Sequence, residues 1–201
     1  QEALGENRVS FAELDMAFTS QDVADIARNL NSKNTQCAVV FLGEMPYTEG
    51  VGSVEDIELF ENQQELVEAI HATGTPVIGV YIGGRPRTLS DIEPLLDAFV
   101  MAYLPGDYGA QAIADVLVGS FNPSGRLPFT WPRHASAHLT YDRKHTENVH
   151  SDFSLSAFNP LYTFGSGLSY SNVETTSIEL IGDSIVNMGD EVNVKVTLVN
   201  S

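Results

Sequence analysis

Basic residues and cysteine are what this chain of 201 residues has least of. Lys and Arg together number 10 against 27 Asp and Glu, a formal net charge of −17. A surface of that sign repels phosphate backbones and anionic leaflets, so neither nucleic acid nor membrane is expected as a partner. Cys37 is the single cysteine, which excludes a disulfide within the chain. It lies in an apolar run and reads as a small buried hydrophobe. No apolar stretch approaches the roughly 20 residues that span a bilayer. No charged-then-apolar leader opens the chain, which does not begin with Met. Walker loop, dinucleotide fingerprint and Gly-x-Ser-x-Gly elbow are all absent, which removes the usual signals for nucleotide binding and serine hydrolysis.

What is present is a core: 43% of residues are hydrophobic. Short apolar runs at Cys37–Leu42, Pro76–Ile82 and Ala98–Tyr103 read as strands buried on both faces, as in a parallel sheet. Helical patterns lie between and after them. Ser20 is the expected cap of a helix through Leu30; Leu59–Ile70 stops at Gly74, and Tyr108–Val118 at Gly119. This alternation predicts an α/β fold, mostly parallel sheet with helices on both faces. Gln1–Leu4 reads as the last turn of a helix capped by Gly5, and Val9–Phe11 as a following strand, so the chain is expected to start inside the unit. Residues 131–160 read as polar loop. Beyond Asn172, period-two alternation at Thr176, Ile178 and Leu180, then from Val192 to Leu198, predicts the first strands of a truncated β-sandwich.

Ligands of open α/β sheets bind beyond the carboxyl ends of the strands. The loop from Gly43 to Asp56 starts at such an end and carries Glu44, Glu49, Glu55, Asp56 and Tyr47. On composition alone it is a solvated acidic loop; the functional alternative is a carboxyl presented to a substrate. Arg85, in Gly83-Gly84-Arg85-Pro86, is expected to form an ion pair. His134 and His138 are four apart, but their segment reads as loop and Asp142 is the only acid in range, so no metal site is expected.

Four blocks then resemble a known family, in order and spacing. They are Gly43-Glu44-Met45-Pro46-Tyr47-Thr48-Glu49-Gly50-Val51-Gly52; Gly84-Arg85-Pro86; Leu104-Pro105-Gly106 with Asn122-Pro123-Ser124-Gly125-Arg126-Leu127-Pro128-Phe129-Thr130-Trp131-Pro132; and Pro160-Leu161-Tyr162-Thr163-Phe164-Gly165-Ser166-Gly167-Leu168-Ser169-Tyr170. Over about residues 1–172 the chain resembles glycoside hydrolase family 3, the β-glucosidase, β-xylosidase and exo-glucanase family. The resemblance implies an α/β sandwich domain over 1–172 without its first strand, then the start of a fibronectin-III-like domain over 173–201. It implies an N-terminal barrel domain as partner, a β-glucoside or β-glucan oligosaccharide as substrate, no cofactor, and a periplasmic or secreted location. It tilts toward glucosidase, glucanase or xylosidase rather than N-acetylglucosaminidase.

The family's exo-glucanase branch places its general acid/base at the Glu of Pro-Tyr-x-Glu, which is Glu49 here; Glu44 is the second choice. A retaining glycosidase uses such a group first to protonate the leaving oxygen, then to deprotonate water, and a raised pKa favours the first step. The family's nucleophile is a barrel Asp in a Ser-Asp-Trp-like motif. Ser151-Asp152-Phe153 resembles it superficially but sits in the polar loop and is rejected. The chain alone is therefore expected to be inactive. The alternative is a carbohydrate-binding or assembly module that kept the fold and lost the barrel. Two positions depart from the family: Ser53, where Asp is frequent, and Tyr108, where Glu is frequent.

Overall fold

The computed structural model describes residues 9–33, 35–137, 159–182 and 185–201. Strands β1 (Ala38–Gly43), β2 (Val77–Ile82) and β3 (Ala98–Tyr103) form one parallel sheet in the order β1-β2-β3. Gly43 pairs with Ile82, so the carboxyl ends of β1 and β2 lie side by side. Helices α1 (Ser20–Lys33) and α2 (Glu61–His71) pack against each other, and α2 packs on β1 and β2. Helix α3 (Gly109–Leu117) lies by the opposite face, beside Phe41 and Ile82. The predicted parallel sheet with helices on both faces is thus present. Strands β4 (Val173–Ile181) and β5 (Asn193–Asn200) form a separate antiparallel pair.

The two faces are covered unequally. Val40 and Leu42 of β1 and Val77 and Tyr81 of β2 point into a core with Leu66, Val67 and Ile70 of α2. On the other face Val39 is 39% exposed and Phe41 58%, because β1 is an edge strand and α3 reaches only part of it. Burial on both faces therefore holds for β2, where Val77, Val80 and Tyr81 are fully buried, and not for β1. Cys37, expected in the core, precedes β1 and is exposed. Val9–Phe11 forms no strand: nothing among the described residues pairs with it, and Phe11 is 84% exposed. Gln1–Gly5 lies outside the described residues.

Trp131 belongs to the same core. It is fully buried, and its indole N–H donates to the Arg87 carbonyl at 2.8 Å. Its ring packs T-shaped with Tyr81, Phe99 and Tyr162 and tilted with Phe129. The Trp131 and Tyr162 backbones bridge antiparallel, and the Gly165 N–H donates to Leu127 O at 2.8 Å. So the third and fourth sequence blocks, far apart in the chain, are one structural unit. No described helix is long and apolar enough to cross a membrane.

Candidate functional site

The acidic loop leaves the sheet under tight control. An ideal Cβ on Gly43 would stand 2.2 Å from Ile82 O, so only glycine lets the two strand ends run this close. The Gln63 side chain of α2, buried, then locks the exit: its amide donates to Gly43 O at 2.9 Å and accepts from the Gly43 N–H at 3.0 Å.

Glu44 follows immediately, with a side chain 5% exposed. Arg87 holds its Oε1 through Nη2 at 2.6 Å and Nε at 2.7 Å; Arg85 Nε lies 3.2 Å from Oε2. Arg87 is itself buried, with Nη1 donating to Glu58 O at 2.5 Å and its guanidinium 4.3 Å from the Phe60 ring centroid. Removing one member of such a cluster strands a buried charge, at a cost of about 3–5 kcal/mol. The ion pair expected of Arg85 is therefore present, with Glu44 as partner.

Arg85 also reaches down the loop. Its Nε donates to the Tyr47 hydroxyl at 2.9 Å, and its guanidinium stands 4.0 Å over the Tyr47 ring. The far edge of that ring meets Gly52, where an added Cβ would come within 2.6 Å of Cδ2. Between them Glu49–Gly52 forms one 3-10 turn, closed by the Ser53 N–H donating to Gly50 O at 3.1 Å. Glu49 opens this turn, exposed, with φ of 48°. A non-glycine residue in that left-handed region costs about 1–3 kcal/mol and persists only where its surroundings hold it.

Beneath the cluster the Tyr81 hydroxyl is buried with no hydrogen-bond partner among the described residues. Burial, with the Glu44 carboxylate second, pushes this phenol far above its ordinary range, so it stays neutral.

Of the other positions singled out, Glu55 and Asp56 lie on the exposed stretch after the turn, Asp56 accepting from the Glu58 N–H at 2.9 Å. Ser53 closes the turn, and Tyr108 is exposed at the start of α3. His134 is exposed; His138, Asp142, His145, His150 and Ser151–Phe153 lie outside the described residues. Among the described residues no cluster of metal-ligating side chains occurs. Sequence reasoning missed Arg87 and Gln63. Arg87 had one signal, a second basic side chain two residues after Arg85 in a protein short of them.

A parallel α/β unit with a carboxylate-bearing loop built over its strand ends belongs, in this case, to the glycoside hydrolases. The chain is a member of glycosyl hydrolase family 3: residues 11–170 match the "Glycosyl hydrolase family 3 C-terminal domain". It is 36% identical over 162 residues to a lysosomal beta glucosidase of Dictyostelium discoideum, covering 80% of this chain and 19% of that protein. It is 34% identical over 171 residues to a beta-xylosidase of Formosa agariphila, covering 83% of this chain and 24% of the relative. Among solved structures it resembles a β-glucosidase from Erythrobacter marinus, with TM-score 0.79 and 28% identity over 94% of this chain and 26% of the other. A β-glucosidase from Listeria innocua in complex with isofagomine gives 0.72 and 26%, covering 96% and 27%. The chain thus spans about a fifth to a quarter of the curated relatives it matches.

Proposed function

We propose that this chain is the acid/base-bearing part of a retaining β-glycosidase that releases terminal β-D-glucosyl residues, with Glu49 as the group that gives and takes the proton. The observation that carries the reading is Glu49 itself: an exposed carboxylate in a strained backbone conformation, on a turn braced from below, beyond the carboxyl end of β1. Glu44 suits the role poorly, because both of its oxygens face guanidinium groups inside the protein. Residues 1–172 form the α/β domain in this reading, and 173–201 begin a fibronectin-III-like domain. The nucleophilic carboxylate stands on a barrel domain, about 5–5.5 Å from Glu49 when the two engage the sugar. Two carboxyls and a water suffice for this double displacement, without a cofactor. A periplasmic or secreted location accords with a periplasmic beta-glucosidase of Salmonella typhimurium, 30% identical over 181 residues.

The test uses the enzyme carrying both barrel and this domain. Glu49→Ala is expected to lower turnover of phenyl β-glucoside by about 100-fold or more. Dinitrophenyl β-glucoside needs no proton to leave, so its glycosylation step should be spared, and azide should restore its turnover by replacing the activated water. Equal losses on both substrates without azide rescue would remove Glu49 from the role.

A further inference from the structure

We infer that Glu44 is a positioning residue: through Arg85 and Tyr47 it sets where the turn bearing Glu49 stands. The inference rests on Glu49 being the acid/base and assigns a task to a carboxylate that the proposed chemistry does not use.

The connection is continuous. Glu44 bridges two arginines from the neighbouring strand-end loop, Arg87 on one oxygen and Arg85 on the other. Arg87 is fixed from behind, its guanidinium by Glu58 O and its carbonyl by the Trp131 indole. Arg85 is less buried than Arg87, and its Nε is shared between Glu44 and the Tyr47 hydroxyl. Tyr47 relays its position to the turn, since its ring lies under the Arg85 guanidinium and against Gly52. The turn has little packing of its own to hold Glu49 left-handed, since none of its residues is buried.

Without the Glu44 charge, Arg85 has no anchor on the sheet side and Tyr47 loses its fixed partner. The fold survives on the core around Trp131, but Glu49 samples positions away from the leaving oxygen. Misplacement by about 1 Å costs on the order of 100-fold in rate, and it falls on the step that needs the proton.

Glu44→Gln, Tyr47→Phe and Glu49→Ala, singly and in pairs, in the enzyme with its barrel, decide the matter. Glu44→Gln is expected to lower kcat/KM for phenyl β-glucoside about 100-fold while changing that for the dinitrophenyl substrate by less than about 5-fold. In a Glu49→Ala background it should add no further loss, because coupled residues are non-additive. Tyr47→Phe, which removes one oxygen and keeps the ring, should show the same selectivity at smaller size, and it carries the test if Glu44→Gln does not fold. Equal losses on both substrates, or losses that add to those of Glu49→Ala, would reduce Glu44 to a prop of the fold and overturn the inference, leaving the role of Glu49 standing. If Glu44→Gln were the variant rescued by azide, and Glu49→Ala were not, Glu44 would be the acid/base and both readings would fall.

Discussion

At the scale of single residues, two glycines two positions apart separate geometry from flexibility. Gly52 has the Tyr47 ring where its side chain would be, whereas Gly50 has open space around it. Gly52→Ala is expected to destabilise the enzyme by about 1–3 kcal/mol through overpacking, and Gly50→Ala to stay within about 0.5 kcal/mol; denaturant unfolding of both variants checks the pair. Equal effects would mean that Tyr47 does not brace the turn. Glu49 was singled out in the sequence by a short motif, and its assignment rests on the proposed function. The fate of Arg85 was legible, since a scarce cation in an acidic protein finds a carboxylate. That the carboxylate is Glu44, 41 positions away, was not legible. Nor were the tasks of Arg87 and Gln63, whose partners, the distant Glu44 carboxylate and Glu58 carbonyl for the one and the end of β1 for the other, are supplied only by the fold.

At the scale of elements, periodicity located β1, β2, β3 and helices α1, α2 and α3, and it failed where a residue's surroundings override its pattern. Val9–Phe11 alternates like a strand yet has no neighbour to pair with among the described residues. The start of α1 shows a finer difference. Ser20 was expected to cap the helix, but it is the first helical residue and its hydroxyl turns to Glu65 at 3.0 Å. Thr19 and Asp22 share the capping instead: the Thr19 N–H and hydroxyl donate to the Asp22 carboxylate at 2.8 and 2.7 Å, and the Asp22 N–H returns to Thr19 Oγ1 at 3.4 Å. Both residue types suit this reciprocal arrangement, so neighbouring Thr and Ser compete for it in sequence and only the backbone path decides. The Thr19 N–H foremost, and its hydroxyl second, hold the Asp22 carboxyl below its ordinary value of 3.8. A folded pKa below the unfolded one means stabilisation that is complete above the unfolded value and lost as pH falls through the folded one. The helix should therefore weaken below about pH 4. Thr19→Ala removes the lesser contribution, so the Asp22 midpoint, followed by NMR, should move part of the way back toward 3.8.

At the scale of the whole molecule, the scarcity of basic residues takes on a structural meaning. Two of the 10 Lys and Arg residues, Arg85 and Arg87, are committed to one inward-facing carboxylate, which leaves the outer surface still more acidic. An uncharged sugar approaches such a surface without penalty, whereas a phosphate chain does not. Glu49, the acid/base carboxylate of the proposed function, is exposed on its turn. A double displacement needs a second carboxylate on the other side of the anomeric carbon, close enough to form a glycosyl ester. Here Glu44, although next in the loop, is engaged by its arginines, and Glu55 and Asp56 lie on the stretch beyond the turn. The isolated chain of 201 residues should accordingly release no nitrophenol from 4-nitrophenyl β-glucoside above the buffer rate, while circular dichroism shows it folded. Steady hydrolysis by the pure chain, abolished by Glu49→Ala, would mean that the second carboxylate lies within this sequence and would overturn the proposal that a barrel domain supplies the nucleophile.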